Sequence, residues 1–228
     1  MADLVTAIAR AQALTQLPDN YYSSDTLEQA AREALARLSC DRPRQLTVTF
    51  LGDGSTRVFP LVPPFDSMFS LVLEVEYPGG MSPRALLPPD AYRVVTDAAP
   101  PELVLEHVTP SAGEVVRVVY TSRHTLAGLD GATETTLTDS VFDALTLLLG
   151  AQLLMRAASR FLQDTEPVLA DAVAGRQSRA MDAQRLAQEL EARYRELVSV
   201  GGAAGARGTV VVWDVPGEIV LSRFGRRR

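Results

Sequence analysis

The side chains with the widest chemical reach are few. There are two histidines, His107 and His124, and one cysteine, Cys40, among 228 residues. One cysteine permits neither an intramolecular disulfide nor a thiolate zinc site. Cys40 continues an apolar helical pattern and is expected as a small buried or half-buried residue. Ser122 stands close to His124, but a hydrolytic triad is defined by geometry and a third acidic group, not by adjacency. Gly52-Asp53-Gly54-Ser55-Thr56 has the look of a phosphate loop, yet it lacks the lysine and no helix follows it. A β-hairpin turn is the expectation there. Asp53, Asp66, Glu74 and Glu76 carry charge enough for a cation but not the spacing of a calcium loop, so they read as solvated faces. Asp130-Gly131 with Glu134 reads as a turn. The expectation is a non-enzyme without catalytic residues, cofactor or metal.

The C-terminal stretch carries a different kind of chemistry. Gly201 to Ala206 has linker composition. Thr209 to Trp213 is β-prone, with Val210, Val211, Val212 and the only tryptophan, Trp213; Ile219 and Leu221 extend the chain again after Pro216-Gly217. The chain ends on Arg223, Phe224, Arg226, Arg227 and Arg228. An apolar strand without a partner is an aggregation hazard unless it is paired. A strand beyond a glycine linker suggests addition to another chain's sheet or groove. Tryptophan and arginine are also common interface anchors. These residues are therefore the candidate partner-binding arm, 201–228.

The 22 basic residues are all arginine, and they are outnumbered by 28 acids, giving a net charge of −6. The arginine bias fits a GC-rich genome, or a preference for rigid guanidinium forks. A protein that grips phosphates should be basic, so DNA gripping is disfavoured, whereas an acidic surface that faces DNA without holding it is compatible. The basic end in an acidic chain favours an acidic protein partner. The N-terminus lacks the features of a secretory signal. No apolar run reaches a membrane span; the nearest, Val141 to Leu154, contains Asp143 and Gln152.

Three kinds of element must position these groups. Leu4, Ile8 and Ala11 share one face of a short opening helix that Leu17-Pro18-Asp19-Asn20 breaks. A second helix is predicted from Asp25, with Glu28 completing a capping-box pair, a stripe of Leu27, Ala31, Ala34, Leu35 and Leu38, and a stop at Pro43. The period then changes to two. Gln45–Leu51 and Arg57–Val62 are predicted as a hairpin, followed by strands over 70–77, 91–96, 102–107 and 114–121, with prolines between them. Helical spacing returns at Thr138, a good N-cap, and runs through Phe161 with apolar residues round most of its circumference. A connector is expected over 164–175 and a last amphipathic helix over 176–198, with Ala180, Met181, Ala183, Ala187, Leu190, Tyr194 and Leu197 inward. Glu189–Arg193 and Glu191–Arg195 are its favourable pairs. The fold class is thus α+β: a helical bundle (1–44 and 122–200), an inserted antiparallel β module (45–121) and an extended C-terminal arm.

This order of pieces resembles the head-to-tail adaptor (connector) proteins of tailed bacteriophages and related gene-transfer particles. The resemblance rests on TLTDSVFDALTLLLGAQLLMRAASRF as the buried helix, AGRQSRAMDAQRLAQELEARYREL as the second long helix, and FLGDGSTRVFPL and VEYPGG within the β module. It implies a homo-oligomeric ring, commonly a dodecamer, under the portal protein, joining head to tail and extending the DNA channel. DNA would pass without specific binding, no membrane is involved, and a downstream tail or head-completion protein is the other neighbour. The arm would dock on the portal through the residues named above. The implied location is the virion, after synthesis in the host cytoplasm. Two other readings stand beside it: a head-completion or tail-joining subunit of the same particle, and a ligand-binding module that uses Phe65, Tyr77 and Tyr92 of the β insertion as platforms.

Overall fold

A computed structural model of the chain describes residues 2–18, 21–163 and 170–202. It is mixed α+β, with helices α1 (Leu4–Thr15), α2 (Ser24–Asp41), α3 (Asp139–Gln163) and α4 (Ala170–Gly202). Between α2 and α3 lie β1 (Arg44–Leu51), β2 (Val58–Pro60), β3 (Val72–Glu76), β4 (Tyr92–Val95), β5 (Glu102–Leu105) and β6 (Val115–Ser122).

The helix caps explain where α1 and α2 begin. Asp3 accepts a 2.8 Å bond from the Thr6 amide, meeting a first-turn N–H that has no partner inside the helix. α2 starts one residue earlier than expected, because Ser23, not Asp25, is the cap and takes the Thr26 amide at 3.3 Å. The expected Asp25–Glu28 box therefore does not form the terminus. The stripe on α2 is buried as the spacing requires: Leu27, Ala31, Ala34, Leu35 and Leu38. Cys40 falls off that stripe and is exposed, against expectation; two positions after Leu38, it lies about 200° round the helix.

α3 is the centre of the helical part. Thirteen of its 25 residues are buried, which requires cover on several sides. Its Val141, Phe142, Leu145, Leu149 and Leu153 join a core with α1 and α2, and Ala151, Leu154 and Ala158 join Ala180, Ala183, Ala187 and Leu190 of α4. α3 is long and apolar enough to cross a membrane, but most of its apolar stretch is buried inside the fold. Gly150 lets the helices approach: a Cβ there would stand 3.2 Å from the Leu190 side chain and 3.6 Å from the Ala11 carbonyl.

α4 begins at Ala170, within the expected connector, and continues through Gly201 and Gly202, within the expected linker. Its buried positions are Ala180, Ala183, Ala187, Leu190 and Tyr194, a strict three-four alternation. Met181 falls outside that alternation and is exposed; Leu197 continues it, three residues after Tyr194, but is also exposed. Arg195 pairs with Glu191 at 2.9 Å as expected, but Glu189 pairs backward with Arg185 at 3.3 Å rather than with Arg193.

The strands form two antiparallel three-stranded sheets, ordered β1-β6-β3 and β2-β5-β4. β1 and β2 are therefore not the predicted hairpin. They belong to different sheets, which pack on a common core of Phe59, Leu61, Phe65, Val75, Leu103, Leu105, Val116, Val118 and Tyr120. The reason lies in the turn. Asp53 Oδ1 accepts from the amides of Ser55 and Thr56 at 2.8 and 2.7 Å, while Gly52 keeps exchanging backbone bonds with Gly113 and Glu114. The β1–β6 ladder thus runs past the end of β1 and the chain crosses to the second sheet. Gly52 admits this approach because a Cβ would lie 2.5 Å from the Ser111 carbonyl.

Candidate functional site

The predicted partner-binding residues Val210, Val211, Val212, Trp213, Ile219, Leu221, Arg223, Phe224, Arg226, Arg227 and Arg228 lie outside the described residues. What the structure describes is the scaffold that carries them and the surfaces on it that could receive a partner.

The first such feature is the base of the β module. The chain enters on Arg44 and leaves on Ser122, and these two residues are paired opposite each other across β1 and β6. His124 clasps the junction from the loop beyond. Its Nε2 lies 2.9 Å from the Arg42 carbonyl and its Nδ1 3.3 Å from Thr136 Oγ1. A carbonyl can only accept, so Nε2 carries the proton and Nδ1 accepts from the Thr136 hydroxyl. Burial, chiefly, holds the imidazole below its ordinary pKa. The His124 amide also donates to Ser39 Oγ on α2 at 3.1 Å. Ser122 points elsewhere: its hydroxyl donates to Pro64 O at 3.3 Å, so the two neighbours in sequence form no nucleophile–base pair. His107, at the other end of the module, is exposed.

The four acids considered for a cation are dispersed. Asp53 holds its turn, Asp66 pairs with Arg123 at 3.2 Å, Glu74 with Arg84 at 3.5 Å and Glu76 with Arg117 at 3.1 Å. Among the described residues no group of three or more ligand side chains converges. Asp130 occupies a left-handed turn at φ 50° and meets the Arg32 guanidinium at 2.6 Å, which holds its carboxyl below the usual range. The aromatics considered as ligand platforms belong to the β core: Phe65 is buried, and Tyr77 and Tyr92 pack half-buried against it, with the Tyr77 hydroxyl donating to Glu114.

The second feature is a groove of about 380 Å³ where α2, α3 and α4 meet. Its walls are Leu148, Ala151 and Met155 of α3 and Ala187 of α4. Its rim is two ion pairs between helices, Arg156–Glu33 at 2.7 Å and Arg37–Glu191 at 2.6 Å. The Arg37 hydrogen bond is the chief reason that Glu191 is held below the usual carboxylate range. Gln152 also lines the groove, and its Oε1 is the one buried side-chain polar atom without a hydrogen-bond partner among the described residues. Below the groove, the buried Tyr194 hydroxyl donates to Asp41 at 2.6 Å and ties α4 to the end of α2. Sequence reading passed over this groove. Its only signal was a glutamine inside an apolar helical run.

A scan against protein-family models and a search of the curated proteins both return no match to this chain.

Proposed function

We propose that this chain is a structural subunit, not an enzyme: a head-to-tail adaptor of a tailed phage or related particle that forms a ring under the portal and docks on it through residues 203–228. The observation that carries the reading is the order of the elements. Helices from both ends of the chain surround one buried helix, the strands are inserted between them as a module closed at its base, and α4 leads directly into the apolar and basic segment.

Three features agree with it. A closed ring needs different surfaces that complement each other around the circle. Exposed apolar side chains are available on both parts of the molecule, with Val5 on α1, Met181 on α4, and Met68 and Leu71 before β3. A channel through which DNA slides should avoid strong phosphate contacts, and the net charge of −6 serves that end. Of the residues considered for a ligand-binding module, Phe65 is buried in the β core and Tyr77 and Tyr92 pack half-buried against that core.

The test is co-sedimentation with the portal protein encoded in the same genome. Removal of 203–228 should abolish association while leaving the helical circular dichroism intact. Undiminished association of the truncated chain would refute the docking role of the arm.

A further inference from the structure

Of the four outer strands of the two sheets, three carry features that block further pairing and β1 carries none. β2 has three residues and ends on Pro60. β4 has four and carries Arg93. The ladder of β3 breaks between Val72 and Glu74. The outer side of β3 is also bonded to the chain at 85–87, where Tyr77 N–H donates to the Ala85 carbonyl at 2.9 Å and Leu87 N–H to the Val75 carbonyl at 2.8 Å. Shortness, proline, charge, a bulge and cover by a neighbouring segment are the usual means of protecting a sheet edge. β1 has eight residues and pairs with β6 alone among the described strands. Over 45–51 it has no charge, no proline and no break in register.

Gly52 exchanges its backbone bonds with Glu114 and Gly113, at 2.8 and 2.9 Å. Backbone groups alternate in direction along an antiparallel strand, so Arg44, Leu46, Val48 and Phe50 also turn theirs to β6. Gln45, Thr47, Thr49 and Leu51 therefore turn their N–H and C=O groups to the open edge, and all four residues are exposed. On the inner face, Leu46, Val48 and Phe50 remain half-buried against the β core. This strand is complementary to itself. Laid antiparallel on a second β1 about Val48, Thr47 meets Thr49 of the second copy and Gln45 meets Leu51. Opposed threonines are a favourable cross-strand pair. Inward, Val48 meets its own equivalent and Leu46 meets Phe50, which covers the apolar side of the edge. At each end Arg44, which has no ion-pair partner among the described residues, comes opposite Gly52 of the second copy and beside Asp53. The helices join β1 at its Arg44 end, so antiparallel pairing sets the two helical parts at opposite ends of the joined sheet.

We propose that the open edge of β1, Gln45 to Leu51, is an interface with a second copy of this chain, paired antiparallel about Val48, so that one sheet runs continuously through both copies. About eight backbone hydrogen bonds form across it, in the closely spaced pairs of an antiparallel ladder. A two-fold contact is complete after two copies. It therefore belongs to the free subunit, and ring closure on a portal uses other surfaces. The inference does not rest on the portal reading: a dimer that ignores the portal, or a monomer that binds it, separates the two.

Sedimentation velocity of the full chain reads the contact directly, in reducing agent so that the exposed Cys40 cannot link copies. The wild type should be a dimer at micromolar concentrations. T47P removes one outward N–H from each copy and no bond to β6. It should raise the dimer dissociation constant about tenfold or more with unchanged circular dichroism. T47K/T49K sets lysine opposite lysine, should also give monomers, and keeps the test open if T47P fails to fold. T47E/T49K sets glutamate opposite lysine in this register and should restore the dimer, whereas a slip of two residues would oppose like charges. A monomeric wild type would overturn the proposal, including one whose Thr47 and Thr49 amides resist hydrogen exchange because another segment covers the edge. So would a dimer indifferent to T47P and T47K/T49K, which places the contact elsewhere, or one that T47E/T49K disrupts as fully as T47K/T49K, which denies the register.

Discussion

Replacing His124 by glutamine should loosen the base of the β module and remove one component of the pH dependence of stability. The imidazole makes two side-chain bonds, to the Arg42 carbonyl at 2.9 Å and to Thr136 Oγ1 at 3.3 Å. At about 0.5–1.5 kcal/mol each, their loss costs roughly 1–3 kcal/mol. For a chain of this size that corresponds to a fall in Tm of roughly 2–4 °C per kcal/mol. The pH component has a definite sign. Burial lowers the folded-state pKa of this histidine, so the unfolded chain takes up the proton first as the pH falls. The stabilisation is complete above the ordinary imidazole pKa of about 6.5 and is lost as acidification proceeds from there toward the lower folded value. Urea titrations followed by circular dichroism at several pH values between 5 and 8 measure both effects. The wild type should lose stability across the lower part of that range more steeply than H124Q. His107, the other histidine, is exposed and common to both proteins, so it cancels in the difference. Equal pH slopes for the two proteins, or equal stability at pH 8, would refute the assignment of His124 as a neutral clasp.

L153A, at a fully buried position in the core shared by α1, α2 and α3, should lower unfolding free energy by about 2–5 kcal/mol through the lost contacts and the residual cavity; a urea midpoint near that of the wild type would contradict the packing. R117L removes the partner of Glu76, whose side chain is only 4% exposed, and should cost roughly 3–5 kcal/mol, read as loss of β structure or of the folded state; a neutral effect would mean that the Gly80 amide suffices to hold that carboxylate. Cys40 is exposed, so a thiol reagent should label the native protein stoichiometrically without denaturant, and labelling that requires unfolding would return it to the interior.

The periodicities were legible residue by residue. The stripe of α2, the alternation of β1 and the all-round apolar character of α3 were each visible because burial acts on the nearest repeat of the backbone. What was hidden depended on pairs distant in sequence. The turn at 52–56 looks like a hairpin locally, and only the continuing ladder from Gly52 to Gly113 and Glu114 sends β2 to the other sheet. Ser23 outcompeted Asp25 as a cap because both are good cap residues and the choice depends on where the incoming chain is anchored; Tyr22 is fixed by its hydroxyl, which donates to the Leu153 carbonyl of α3. On α4 the alanine-rich composition gives weak contrast between faces, so Met181 could be misassigned inward although the alternation of 180, 183, 187, 190 and 194 leaves it outside. The arm was singled out by composition alone, whereas the groove between α2, α3 and α4 is made from three helices, including Glu33 and Glu191, which are 158 positions apart.

The central claim is that this chain assembles on a portal. Negative-stain microscopy and native mass spectrometry of the purified protein mixed with its genome's portal protein test it most directly. The account predicts one ring of this chain, of uniform copy number, at one end of the portal. A protein that stays monomeric and leaves the portal bare would contradict it.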